Sequence, residues 1–124
     1  MKKNFVFGVI FGFLLLTVLY ACAGQKFPYG TYTNGSYELT LNPDGKYTSI
    51  TAETHVVADQ GTFSISGNQI VWATSSHCSL IFPGYKPATS TWTYANHILV
   101  FKFQGVDSCP ERLNYLNSWS WSQG

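Results

Sequence analysis

Apolar and polar residues alternate with a period of two along most of this chain, the pattern of strands with one buried face. In Thr89 to Phe103 (TSTWTYANHILVFKF), Trp92 and Tyr94 share one face of a first arm. Leu99, Phe101 and Phe103 share one face of a second, and Ala95-Asn96-His97 supplies the turn between them. Gly61 to Trp72 (GTFSISGNQIVW) repeats the plan, with Phe63 and Ile65, a Gly67-Asn68 turn, then Ile70 and Trp72. Each segment predicts a β-hairpin.

Other segments extend the series. Gly30 to Asn42 (GTYTNGSYELTLN) gives two extended runs across Asn34-Gly35, a pair that favours a type I′ turn because both central residues tolerate positive φ. Asn42-Pro43-Asp44-Gly45 is a second turn and Lys46 to Thr51 the returning strand. Thr54 to Asp59 alternates poorly and is assigned as a further strand. Ala73 to Ala88, broken by Pro83-Gly84 and Pro87, is the longest predicted loop. Its apolar residues Leu80, Ile81, Phe82 and Tyr85 suggest that it folds over something apolar, as a lid or as packing over an open end. Ser108 to Leu113 starts a helical turn, with Asp107 or Ser108 as cap and Pro110 near the first helical position. Ser118 to Ser122 (SWSWS) is a last strand with Trp119 and Trp121 on one face. So aromatic a terminal strand needs cover, which pairing beside the first strand would supply.

About eight short strands joined mostly by tight turns predict an all-β fold: a small up-and-down antiparallel β-barrel with a short C-terminal helical turn before the last strand. Composition agrees, since 17% aromatic and 10% charged residues, with much Ser, Thr, Asn and Gly, suit strands and turns and not disorder.

Residues 1–23 read as a signal peptide preceding the domain of residues 24–124. Lys2 and Lys3 form a basic start, and Phe5 to Tyr20 is an uncharged apolar run shorter than the ~20 residues a membrane-spanning helix needs. Leu19-Tyr20-Ala21-Cys22 resembles a bacterial lipobox, which would lipidate Cys22 and anchor the chain to a membrane. The competing reading is ordinary cleavage after Ala23. Either implies export to the cell envelope, periplasmic or at the cell surface. Both leave Cys78 and Cys109, an even count that favours a disulfide in an oxidising compartment. Without Lys2 and Lys3, seven basic residues fall to five against six acidic ones, a net charge of −1. No basic stripe suggests nucleic acid.

Taken together, Tyr37 to Asn42 with Asp44 to Tyr47, the Gly61-Thr62-Phe63 hairpin, Cys78, Ser90 to Tyr94 with Leu99 and Phe101, and Cys109 followed by Arg112 resemble the lipocalin-like (calycin) domains of small bacterial secreted proteins and lipoproteins. The resemblance implies a barrel whose interior holds a small apolar or amphipathic molecule. It departs from the long lipocalins in lacking their Gly-x-Trp and in being shorter, so the interior could instead be wholly filled.

No catalytic constellation stands out. His55, His77 and His97 lie in separate segments without metal-ligand spacing, no serine sits in a Gly-x-Ser-x-Gly elbow, and Asp107 with Glu111 fits helix capping as well as paired-carboxylate chemistry. No metal or cofactor is expected, and the chain reads as non-enzymatic. Phe63, Trp72, Trp92, Tyr94, Phe101, Phe103 and Trp121 would line one face of the sheet, as core or as the wall of a ligand pocket. Arg112, the sole arginine, would meet an anionic headgroup at the barrel mouth, or pack over Trp119 or Trp121 as a cation-π partner. The expected function is binding of a small apolar ligand. The alternative is a protein-interaction module or hydrolase inhibitor that presents the loop Cys78 to Pro87 from a filled barrel.

Overall fold

The computed structural model describes residues 25–105, 107–110, 112, 116 and 120–123. The leader with Cys22, and also Glu111 and Trp119, lie outside them. Within them the order is β1 (Gly30–Thr33), β2 (Tyr37–Leu41), β3 (Lys46–Thr51), β4 (Val57–Ser66), β5 (Gln69–Ser75), α1 (Ser76–Ile81), β6 (Ala88–Ala95), β7 (Ile98–Gln104) and β8 (Ser120–Gln123). Each strand pairs antiparallel with its neighbours in sequence, and β1 pairs with β8 through Tyr32 opposite Gln123 and Thr33 opposite Ser122, which closes an eight-stranded barrel. Closure leaves no free sheet edge.

The predicted alternation sorts the side chains. Tyr32, Leu39, Leu41, Tyr47, Ile70, Trp72, Leu99, Phe101 and Trp121 all point inward and are no more than 1% exposed. Each such large side chain contributes roughly 1.5 to 3 kcal/mol through removal from water. The turns at 42–45, 67–68 and 96–97 gather at one end of the barrel. There Phe27 tucks under, edge-on to Trp92 with ring centroids 5.1 Å apart, so the short run before β1 is docked.

Four local expectations are corrected. The Asn34-Gly35 turn is not type I′: Gly35 alone takes positive φ (94°), and the Asn34 side chain accepts hydrogen bonds from the Ser36 and Tyr37 amides (2.9 and 2.8 Å). A side-chain acceptor has replaced a backbone one, as Asn readily does in turns. The two-residue, doubly left-handed turn occurs instead at Asn96 (φ 53°) and His97 (φ 63°), with Ala95 retained in β6.

The strand expected over Thr54 to Asp59 begins only at Val57 and runs on unbroken to Ser66. Residues before it fold into a turn held by Thr51, whose Oγ1 accepts from the Val56 amide (3.1 Å) and whose carbonyl accepts from the His55 amide (2.9 Å). The long loop expected over Ala73 to Ala88 is shorter: β5 continues to Ser75, which caps α1 by accepting from the Cys78 amide (3.1 Å). Finally, Leu80, Ile81 and Phe82 do not fold over an apolar surface; they are exposed. Of the expected C-terminal helical turn, the described residues Pro110 and Arg112 are helical, as is Leu116 beyond it, and the Asp107 carboxylate accepts from the Cys109 amide (2.9 Å).

Candidate functional site

The aromatic residues proposed to line a pocket all face the interior, where ring meets ring. Trp72 is packed edge-to-face by Phe101 at 5.2 Å and Tyr47 at 5.3 Å, and Phe63 lies 6.2 Å away at a tilt. Phe63, Trp92 and Trp121 are buried with them, and Tyr94 and Phe103 are half-buried against the same core. Rings at these separations are in packing contact, and edge-to-face pairs add about 0.5 to 1.5 kcal/mol each beyond the area they bury.

Arg112 lies deep inside the end opposite Phe27. Its Nε donates to Asp107 Oδ2 and its Nη2 to Asp107 Oδ1, both at 2.8 Å, a bidentate pair in which both side chains are fully buried. Nη2 also donates to the Lys86 carbonyl (2.9 Å). Among the described residues a ring that faces the guanidinium is Tyr85, with its centroid 5.4 Å from Cζ; of the two tryptophans expected there, Trp119 lies outside the described residues. The planar fork is thus spent on structure, where paired charge and hydrogen bonding offset the cost of burial.

A second buried carboxylate, Asp59, was missed by sequence reading. It accepts from the Tyr47 hydroxyl (2.9 Å), the Ser75 hydroxyl (2.8 Å) and the His77 amide (3.2 Å). Asp59 is in phase with Phe63 and Ile65 on the inner face of β4, and the bulge at Ala58, unpaired between the Ser49–Asp59 and Ile50–Val57 pairs, comes only before it. On β5 a bulge at Ala73, unpaired between Thr62–Thr74 and Phe63–Trp72, passes the inward phase from Trp72 to Ser75. Burial, then the charge and hydrogen bond of Asp59, hold the Tyr47 phenol well above its ordinary pKa.

These two networks fasten the feet of one surface segment. At its start, Cys78 is joined to Cys109 by a disulfide, as the cysteine count suggested. At its end, the Lys86 amide donates to Ser108 Oγ (2.8 Å), the Lys86 carbonyl accepts from Arg112, and the Tyr85 hydroxyl accepts from the Ser75 amide (2.8 Å). Both feet therefore stand on residues 107–112. Between them Leu80 is 83% exposed, Ile81 43% and Phe82 37%. A turn with Gly84 at φ 87° and a Tyr85 amide to Phe82 carbonyl bond (3.0 Å) fixes the descent.

The histidines stay apart: His97 approaches Tyr94 and Gln123, whereas the His77 amide sits over Asp59. Among the described residues no three His, Cys, Asp or Glu side chains form a metal-binding group. Comparison of the chain with known protein families, with curated proteins and with solved structures finds no match.

Proposed function

We propose that this chain is an exported lipocalin-like domain whose barrel serves as a scaffold, and that it acts by inserting the Leu80–Phe82 ridge into an apolar cleft of a partner protein, in the manner of a hydrolase inhibitor. The carrying observation is the ridge itself: three adjacent exposed apolar side chains on a segment clamped at both feet by a disulfide and a buried ion pair. Exposed apolar surface is costly unless used. A segment already ordered in its free state loses little entropy on binding, which is where rigid binding loops gain affinity. Full burial of an exposed Leu or Phe favours binding by roughly 1.5 to 3 kcal/mol, enough for two or three ridge residues to dominate an interface.

The small-ligand carrier reading has less support, because the interior rings would have to move apart before a guest could enter. The test is inhibition and complex formation against a panel of purified envelope and secreted hydrolases. Stoichiometric inhibition of one, lost in Leu80→Asp and Phe82→Asp variants that keep the wild-type melting temperature, is the expected result. Variants that inhibit as well as wild type, or no inhibition across the panel together with a lipid found in organic extracts of the protein, would overturn it.

A further inference from the structure

A cleft of about 460 Å³ crosses the outer wall of β3, β4 and β5, beside α1 and Tyr85. It is separate from the ridge, and its chemistry is different. Among the described residues Lys46 is the sole charged side chain lining it; the rest of its polar wall is hydroxyl and amide, from residues that include Thr48, Gln60, Thr62, Thr74 and Ser76. We infer that this cleft is a binding site for a neutral carbohydrate segment.

Elimination supports the class. An apolar guest would cover the Thr48 hydroxyl and the Gln60 side-chain amide without supplying a partner for either, at a cost for each. Among the described residues a multiply charged anion would meet only Lys46, and a cation would meet no carboxylate, since Asp59 lies behind the wall and is bonded to Tyr47 and Ser75. An extended peptide recognised by strand addition needs a free edge, which the closed barrel lacks. A sugar offers what the wall can answer: hydroxyls that both donate and accept, as Ser and Thr hydroxyls do.

The wall is also rigid. Thr62 and Thr74 face each other across the β4–β5 ladder with hydroxyls 2.8 Å apart, and Thr74 Oγ1 accepts from the Thr62 amide (2.9 Å). Their backbone is pinned from inside by the Tyr47 hydroxyl, which donates to the Thr74 carbonyl (3.0 Å). Tyr85 adds a ring whose hydroxyl is tied to Ser75 and whose body lines the cleft, an apolar plate suited to the C–H face of a pyranose. Fixed hydroxyls beside a fixed ring need little reordering to bind.

The test is an ¹⁵N NMR titration of the purified protein with chitotetraose, cellotetraose, maltotetraose and mannotetraose. Saturable shifts of the Thr62, Thr74 and Ser76 amides with at least one sugar, at a Kd of roughly a millimolar, are expected. Thr62→Val with Thr74→Val should weaken binding about tenfold, the loss of one or two hydrogen bonds. The proposal is overturned if none of the four sugars shifts these amides, if the shifts map to another face, or if the folded double-valine variant binds as well as wild type. None of these outcomes depends on the ridge.

Discussion

Asp107→Asn is the most direct probe of how the ridge is held. The substitution keeps shape and leaves an amide oxygen able to accept from the Cys109 amide, as Asp107 does at 2.9 Å, but removes the charge facing Arg112. Arg112 is fully buried, so its charge has no direct access to water. Breaking one side of a buried pair typically costs 3 to 5 kcal/mol. The Lys86 carbonyl and the Tyr85 ring still face the guanidinium, so the lower figure, about 3 kcal/mol, is expected. In a domain of this size that is a large share of total stability and lowers Tm by more than ten degrees, at about 4 to 8 °C per kcal/mol. Adding Arg112→Met removes the stranded charge and should restore about half the loss or more, because a buried pair replaced by an apolar side chain is often near neutral. Urea unfolding with the disulfide intact measures both. A single-variant loss below about 1 kcal/mol, the range of exposed pairs, or a double variant whose loss equals the two single losses added, would refute this account of the clamp.

Four further outcomes are expected. Gly61→Ala should destabilise by about 3 kcal/mol or prevent folding, because a Cβ there would lie 1.9 Å from the Thr74 carbonyl oxygen, and backbone cannot yield as a side chain can; a urea midpoint like wild type would contradict the bulge geometry. Cys78→Ser with Cys109→Ser should cost about 4 kcal/mol by the loop-entropy estimate for a separation of 31 residues, and should speed amide exchange at Leu80 to Tyr85 more than in β6 and β7; uniform acceleration would count against local clamping. Ser49→Ala should be neutral or stabilise by about 1 kcal/mol, since Ser49 Oγ is buried with no hydrogen-bond partner among the described residues; a clear loss in thermal melts would reveal a partner. Stability should hold below pH 10, the ordinary tyrosine value, and fall as pH rises to about 12. Burial and then Tyr94 push the Tyr32 phenol up to about 12, so the unfolded chain ionises first; flat stability over that window, or no change of slope in Tyr32→Phe, would argue against it.

The barrel was legible because period-two alternation survives wherever a strand has one wet face, as in Trp92 to Phe103. Closure could be argued from Trp119 and Trp121: so aromatic a last strand must be covered, and β8 pairs with β1. The polar end was not legible, for a physical reason. Ser75 reaches the interior through the bulge at Ala73, and a bulge breaks the very phase that sequence reading relies on. Asp59 keeps the phase of Phe63 and Ile65, but a carboxylate reads as a solvent-facing residue because its type is almost never buried unless paired. α1 is six residues long, under two turns, so no helical period can show; Ser75 as its cap was the one available signal. Arg112 was singled out because it is the sole arginine; its partner Asp107 is near in sequence, but Lys86 and Tyr85 are distant and meet it only through the tertiary fold.

The two ends of the barrel are closed by different means, and the difference bears on where function can reside. The turn end is sealed by apolar packing of Phe27 on Trp92 and Phe63, with Gln25 bonded to the Tyr94 carbonyl, so the chain enters the fold there. The opposite end is sealed by directional bonds: a disulfide, a bidentate ion pair and a carboxylate accepting from three elements. Apolar packing tolerates sliding and repacking, whereas a network that loses one member leaves the rest unsatisfied at several kcal/mol. Such a seal is stiff, and it stands directly beneath Leu80, Ile81 and Phe82. If Cys22 carries a lipid, the three residues from it to Gln25 span at most about 10 Å, so the turn end would face the membrane. The rigid end and its apolar ridge would then point away from the bilayer, where the partner protein we propose could reach it.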